Sequence, residues 1–484
     1  SAPRRPNVIW VFGDQHRRQA LGCAGDPNVH TPNIDRLATE GLTLDGVAGC
    51  PLCCPYRGSL LTSRYPHRMI PGHEYPMPDG TPTVATAFNA AGYHTAYFGK
   101  WHVDGWHESQ GRGGLHVVPP ARRGDFKQWL GYENNNSQWD CYVHGHDDAG
   151  GEIPLRRLPT YETDALTDLT LDYLNQRADD QQPFFCVLSV QPPHNPYVCP
   201  ERWQGRHTPA TVQLRPNVPS VPHIVERARC ELAGYYGMIE NLDWNLGRIR
   251  DLLWSRDLIE DTHIIFFSDH GDMHGSQGLF RKTNPFEESI RVPMIFGGRN
   301  PLYGHHHGRT NHMVNHVDLA PTSLGLCGIA KPEWMDGTDY AGCRLINGTP
   351  ASGPDSAFLQ LVVPTGHGDS TGRAWRGVVT RDGWKYVCLE HQPWLLFNLN
   401  EDPYEQVNHA LNPAYNVRRR QLQDRLAKSL PEQAAAVRSF CSSFSPLLYF
   451  FSFSLALLID ARLLCLSSSS EVIRSALEVV TCSI

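Results

Sequence analysis

The chain has 484 residues, 40% apolar and 19% charged, which fits a globular core and excludes a disordered chain. Its formal net charge of -7 excludes a basic nucleic-acid surface, so an anionic ligand would need a local cluster of cations. Fourteen cysteines are scattered along the sequence and define no disulfide framework at this length.

Four short apolar runs, 8–12, 95–98, 184–190 and 263–267, read as buried strands because they lack strict alternation. Helical periodicity fills the stretches 33–41, 84–91, 163–177 and 225–253. Thr31-Pro32 and Thr81-Pro82 supply helix starts, and Gly41 and Gly92 supply stops. This alternation predicts an α/β fold: a mostly parallel central sheet with helices on both faces. Near Phe358 the texture changes. Segments 373–380, 384–389 and 394–399 read as short antiparallel strands, followed by a helix over 415–430. The expected organisation is an α/β domain over 1–350, a smaller C-terminal α+β subdomain over 351–434 and an atypical apolar and Ser-rich tail over 435–484. The apolar run 447–459 is shorter than the ~18–20 residues of a membrane span, so a membrane partner is not expected.

In open α/β sheets, ligands sit beyond the carboxyl ends of the strands. Asp14 follows the first run, Lys100 and His102 the second, His194 the third, and Asp269 and His270 the fourth. Four distant segments are thus expected to deliver charged or ligating groups to one edge. Carboxylates from two strand ends suit a hard divalent cation, although the His270 imidazole suits transition metals better.

Cys53-Cys54-Pro55-Tyr56-Arg57, continued by Leu61-Thr62-Ser63-Arg64, looks like a turn feeding a buried helix. A thiol and a permanent cation then stand at a helix N-terminus, where free N–H groups favour anions and thiolates. Cys50, Cys53 and Cys54 lack a second half with zinc-ligand spacing.

The run Cys-x-Pro-x-Arg-x-x-x-Leu-Thr-x-Arg resembles the signature of the type I sulfatases, in the alkaline-phosphatase-like superfamily. Gly92–Trp101-His102, Pro192-Pro193-His194-Asn195-Pro196 and Arg281-Lys282 resemble further segments of that family, and Leu396–Leu399 with Asp402-Pro403 resembles its C-terminal part. The resemblance implies that Cys53 is oxidised to formylglycine by a formylglycine-generating or equivalent maturation enzyme, which reads Pro55 and Arg57. It implies one divalent ion, Ca²⁺ in the first place with Mg²⁺ or Mn²⁺ as alternatives, held by Asp14, Gln15, Asp269 and His270 beside residue 53. Two departures stand out. Ser63 replaces a usual Gly, and Gln15 replaces a commoner Asp, which gives the site one negative charge fewer.

The activity so implied is sulfate ester hydrolysis. One hydroxyl of the hydrated aldehyde attacks sulfur, aided by the ion and Arg57. His194 and Lys282 stabilise or protonate the leaving oxygen, His102 deprotonates the second hydroxyl, and Lys100 bridges the hydrate and the sulfate. Preorganised donors of this kind are worth ~3 kcal/mol each. The Asp-Gln and Asp-His pairs also look like the phosphonate monoester hydrolase and choline-sulfatase branches. A phosphonate monoester or phosphodiester hydrolase is therefore the enzymatic alternative, and a non-catalytic relative that binds sulfated glycans is the alternative of another class. The substrate is a sulfated small molecule or glycan. The segments 134–140 and 142–148 read as a polar, aromatic loop insertion that shapes specificity and leans the choice toward a carbohydrate sulfate. No signal peptide is visible, but enzymes of this type are commonly exported to the periplasm, the exterior or a lysosome-like compartment. His305-His306-His307 reads as a solvated loop, and the His316–Asp318 segment as the opening of a helix.

Overall fold

The computed structural model describes residues 5–180, 182–299, 307–346, 348 and 353–429. The tail expected over 435–484 lies outside the described residues, as do His305 and His306.

The chain enters through β1 (Asn7–Gly13), every residue of which is buried. Next come α1 (Pro32–Glu40), β2 (Leu42–Val47), α2 (Cys53–Thr62), α3 (Val84–Ala90) and β3 (His94–Lys100). A meander follows: β4 (Gln128–Tyr132), β5 (Tyr142–His146) and β6 (Glu152–Arg157). Helix α4 (Glu162–Ala178), β7 (Phe184–Ser189), the 34-residue α5 (Pro222–Ser255) and β8 (Thr262–Ser268) complete the centre. The edge is built by α6 (Glu287–Ile290), β9 (Arg291–Val292), β10 (Met294–Gly297), β11 (Gly308–Asn315) and α7 (Leu319–Leu326).

These strands form one sheet in the order β11-β2-β10-β8-β1-β7-β3-β4-β5-β6, with β9 against β2. The central run β8-β1-β7-β3-β4 is parallel throughout, and β10, β5 and β6 are antiparallel additions. Two apolar clusters sandwich the sheet. Trp10, Phe12, Phe185 and Phe267 project to the face covered by α2, α3 and α7. Ile9, Val11, Phe266 and Leu188 project to the other face, against α1, α4 and α5. Burial on both faces explains why these strands read as unbroken apolar runs.

A second sheet, β12 (Ser356–Leu361), β13 (Trp375–Thr380), β14 (Trp384–Leu389) and β15 (Gln392–Asn398), is antiparallel in that order and is backed by α8 (Asn416–Lys428). Its other face packs on Val47, Cys50, Leu52 and Ile290 of the larger unit. One expectation needs correction. Residues 142–148 are not a loop: Tyr142–His146 is β5, paired with β4 and β6. Its His and Gly content hid a strand whose pairing is set by its neighbours rather than by propensity. No helix of the described residues is long and apolar enough to cross a membrane.

Candidate active site

Strands β8, β1, β7 and β3 are neighbours, and their carboxyl ends open on one point. Asp14 leaves β1, Lys100 closes β3, His194 sits in the turn after β7, and Asp269-His270 leave β8. Asp14, Lys100, Asp269 and His270 are fully buried, and His194 is half-buried. Helix α2 points its N-terminus at the same point and begins with Cys53, after Leu52 in an extended conformation. Every residue of α2 is buried, so no polar face marks it in the sequence. At its far end Ser63 takes a left-handed conformation, φ 53°, which accounts for a glycine preference there. Serine holds the position with its hydroxyl, which donates to the Val317 carbonyl at 2.5 Å and accepts from the Gly337 N–H at 3.0 Å.

Ligand atoms of Asp14, Cys53, Asp269 and His270 all lie within 4.8 Å of one another. His270 Nε2 is 3.2 Å from Cys53 Sγ, 3.4 Å from Asp14 Oδ1 and 3.6 Å from Asp269 Oδ1. Its Nδ1 meets the Gly271 carbonyl at 3.0 Å, which turns Nε2 toward the group. Asp14 divides its carboxylate. Oδ2 accepts from Lys100 Nζ at 2.7 Å and from Arg57 Nη2 at 3.4 Å, whereas Oδ1 faces Cys53 and His270. An oxygen turned inward beside a second carboxylate and an imidazole nitrogen fits a divalent cation. Burial opposes ionisation of Asp14, but Lys100, His194, Lys282 and His270 outweigh it and hold the pKa well below the usual range.

Arg57 anchors the site from below. Its Nη1 donates to the Lys100 carbonyl at 2.9 Å and to Ser189 Oγ at 2.8 Å, and its Nη2 also reaches Asp269 Oδ2 at 3.3 Å. Phe12 lies beneath the guanidinium at 5.1 Å. Arg57 therefore ties α2 to four strand ends, those of β1, β3, β7 and β8. Lys282 Nζ is 3.2 Å from Cys53 Sγ and donates to Gln15 Oε1 at 2.9 Å. Burial disfavours the Lys282 cation, yet Cys53, Asp14 and Asp269 raise its pKa on balance. The Cys53 thiol is shifted the other way. Burial and Asp14 oppose its ionisation, and Lys282, Lys100 and His270 more than offset them, so its pKa is lowered.

Cys53, Lys100, His102, His194 and Lys282 line one cleft of about 390 Å³, with Leu52, Asn134 and Asn136. Burial, with nearby cations, holds His102 and His194 well below the ordinary imidazole value, so both rings are neutral. His102 adopts φ 63°, and its Nδ1 is buried without a hydrogen-bond partner. His194 Nδ1 meets the Asn195 carbonyl at 2.7 Å. His316, by contrast, packs its ring at a tilt against Tyr56 and leads into α7, as a structural residue would.

Several residues at the site carried no signal in the sequence. His73, Glu108, His367 and Ser370 reach the cleft from loops remote from any strand end. Asp272 and Tyr197 support Gln15 from behind. Asp272 lies three residues beyond the Asp269 cluster, and a carboxylate so near was the only available hint.

A family model described as Sulfatase matches residues 6–329. This chain belongs to the sulfatase family. Like the family, it is a sulfuric ester hydrolase on the alkaline-phosphatase-like scaffold, and the group at its strand ends could hold a metal ion, as the family generally requires. A second family model, N-sulphoglucosamine sulphohydrolase C-terminal, matches residues 275–432 and so takes in the smaller sheet. The sulfatase is 32% identical over 437 residues to an ulvan-active sulfatase of Formosa agariphila, covering 89% of this chain and 82% of that protein. It is 25% identical to an N-acetylglucosamine-6-O-sulfatase of Bacteroides thetaiotaomicron, covering 84% and 82%. Solved structures share the fold, among them a phosphonate monoester hydrolase of Agrobacterium radiobacter, with a TM-score of 0.70, 22% identity and 89% and 96% coverage.

Proposed function

We propose that this sulfatase removes sulfate from a carbohydrate ester, using residue 53 as formylglycine and a Ca²⁺ ion held by Asp14, Asp269 and His270. The observation that carries the reading is the meeting at Cys53 Sγ of His270 Nε2 and Lys282 Nζ, each at 3.2 Å, beside Asp14. The sulfur stands in for an oxygen of the aldehyde hydrate. When present, the hydrate supplies a nucleophilic hydroxyl and the ion supplies positive charge facing the sulfate oxygens.

The protein's own groups then divide the work. Lys100 and Arg57 hold the Asp14 carboxylate in place and offset its charge. Lys282 reaches both the residue 53 side chain and the cleft, and its raised pKa keeps it protonated. It is the group that donates to the leaving oxygen as negative charge grows there. With Nδ1–H engaged by Asn195, neutral His194 presents a bare Nε2, which can donate to the leaving oxygen only after sulfate entry has favoured its protonation. Neutral His102, with a buried unpartnered nitrogen, is the base that takes the proton from the second hydroxyl. Gln15 Oε1 turns to Lys282, so its first part is to hold the lysine, a role beyond the metal-ligand one that the sequence resemblance implies. The cleft supports a sugar substrate, since Asn134, Asn136, Glu108 and the histidines offer donors and acceptors for hydroxyl groups. Likeness to an ulvan-active sulfatase and an N-acetylglucosamine-6-O-sulfatase supports the same class.

The test is a comparison of kcat/KM for an aryl sulfate, an aryl phosphonate monoester and a panel of sulfated mono- and oligosaccharides. Sulfate esters are expected to lead, with a sugar sulfate best. A large excess for the phosphonate would transfer the chain to the rival chemistry. Activity confined to non-sugar esters would remove the carbohydrate assignment. Mass analysis of the peptide containing Cys53, from protein made with its maturation system, separates a catalyst from a binding protein.

A further inference from the structure

Three side chains outside the Cys53 group gather on the wall of the cleft. His73 lies between α2 and α3, Glu108 in the loop after β3, and His367 between β12 and β13. A ligand atom of each lies within 4.8 Å of the other two. The His73 and His367 rings meet edge to face with centroids 4.8 Å apart. His73 Nδ1 is 3.6 Å from Cys54 Sγ, and its buried Nε2 has no hydrogen-bond partner, the Glu74 carboxylate standing 3.6 Å away. Among the described residues, Glu108 Oε1 has two long contacts, from Asn134 Nδ2 at 3.5 Å and Asn136 Nδ2 at 3.4 Å.

We propose that His73, Glu108 and His367 form a second metal site, for a borderline transition ion such as Zn²⁺, whose occupancy obstructs the cleft above Cys53. Two imidazoles and one carboxylate are the protein ligands of many open zinc sites, with water in the fourth position. The nitrogen content disfavours Ca²⁺ and Mg²⁺, which take oxygen ligands. In a tetrahedral site, bonds of about 2.0–2.2 Å put ligand atoms about 3.3–3.6 Å apart, so a pair at the 4.8 Å limit has to close by roughly 1.3 Å. Glu108 and His367 are exposed loop residues and can make that adjustment. A neighbouring trio, Cys54, His73 and His102, shares His73 and also has its ligand atoms within 4.8 Å of one another. It is buried at Cys54 and His102 and needs a thiol to lose its proton, so the solvent-facing trio is the better receiver. All three ligands of the outer trio line the cleft that holds Cys53, so an ion there stands in the path of a substrate.

The experiment titrates Zn²⁺, and Co²⁺ as a coloured substitute, into the enzyme in excess Ca²⁺. Binding is read by calorimetry and Co²⁺ absorption, with retained Ca²⁺ measured by elemental analysis. One ion per chain is expected in addition to Ca²⁺, with Zn²⁺ inhibition of aryl sulfate turnover reversed by a chelator. His367→Ala and Glu108→Gln are each expected to raise the Zn²⁺ dissociation constant at least tenfold, with thermal unfolding confirming that each variant is folded. Unchanged Zn²⁺ affinity in both folded variants overturns the proposal. So does loss of binding in Cys54→Ser with retention in His367→Ala, which puts the ion in the deeper trio. Inhibition accompanied by release of Ca²⁺ also overturns it, because the ion is then acting at the Cys53 group. The binding readouts need no turnover, so their failure is separate from any failure of the carbohydrate assignment.

Discussion

Asp272 Oδ2 accepts a hydrogen bond from Gln15 Nε2 at 2.6 Å, and this contact decides which end of the Gln15 amide meets Lys282. An ionised carboxylate can only accept, so the NH₂ end must face it and Oε1 must face away. Tyr197 donates to the same carboxylate, and Arg281, paired with Glu231, donates to the Tyr197 hydroxyl. Burial opposes ionisation of Asp272, but His274 and Arg281 lower its pKa strongly, so it keeps the charge that fixes the amide. The Asp272→Asn variant removes this constraint, because a neutral amide can donate as well as accept. Gln15 can then turn its NH₂ end to Lys282. Losing one buried, oriented hydrogen bond of ~1–3 kcal/mol predicts a fall of roughly 10- to 100-fold in kcat, with the fold retained. Steady-state kinetics beside a thermal melt check it; a variant as active as the parent refutes the positioning role.

The sequence made most of this chemistry legible and little of its support. Strands β1, β3, β7 and β8 are buried on both faces, so apolar runs reveal them, and the residues that follow them include Asp14, His194 and Asp269. Cys53 and Arg57 lie four apart on one helix, where local spacing fixes their common direction. Strands β2, β10 and β5 escaped because each is short or polar and exists through its partners. His73, Glu108 and His367 come together through three loops whose paths depend on packing, which no local pattern encodes.

Lys385 links the smaller sheet to the loop that carries Lys282. From β14 its buried ammonium reaches Glu405 Oε1 at 2.6 Å, Glu287 Oε1 at 2.7 Å and the Pro285 carbonyl at 2.9 Å. The same loop is held at Thr283, whose carbonyl accepts from Trp375 Nε1 at 2.9 Å. Replacing Lys385 by Met keeps the stem and leaves the buried Glu405 carboxylate without its cation, while Glu287 keeps Arg291 at 2.8 Å. Breaking a buried pair in this way costs about 3–5 kcal/mol. A matching drop in denaturant stability is expected, with a rise in KM as the Lys282 loop loosens. A change below about 1 kcal/mol would show that the carboxylate finds a proton or water instead.

Cys54 stands beside the proposed modification site, yet its surroundings are different. Burial, then Cys53, raises its thiol pKa well above the ordinary value, whereas that of Cys53 is lowered. Alkylation of protein made without a maturation system is expected to label Cys53 before Cys54 at pH 7. Protein made with one is expected to lose label at Cys53 while Cys54 remains a thiol. Cys53→Ala should abolish turnover of protein made with the maturation system, and peptide mapping that finds Cys54 oxidised in place of Cys53 would reverse the assignment.

Glu162 gives a pH signature of stability that is separate from catalysis. It is fully buried at the start of α4, where it accepts from the Tyr132 hydroxyl and from the Gln191 N–H at 3.0 Å. Burial raises its pKa from 4.5 to about 7 against those hydrogen bonds. The sign follows from proton counting. Below pH 4.5 both folded and unfolded chains hold the proton, and the favourable contribution is whole. Between 4.5 and about 7 only the folded chain holds it, so rising pH favours unfolding. Above that range the loss is complete, at roughly 3 kcal/mol as an order of magnitude. Glu162→Gln keeps the shape without the charge, so the variant should lose less stability than the parent as pH rises from 4.5 to 7.5. Chemical denaturation across that range measures the difference. Parallel pH curves for the two proteins would mean that Glu162 ionises without penalty in the folded state, and that Tyr132 and Gln191 compensate fully for its burial.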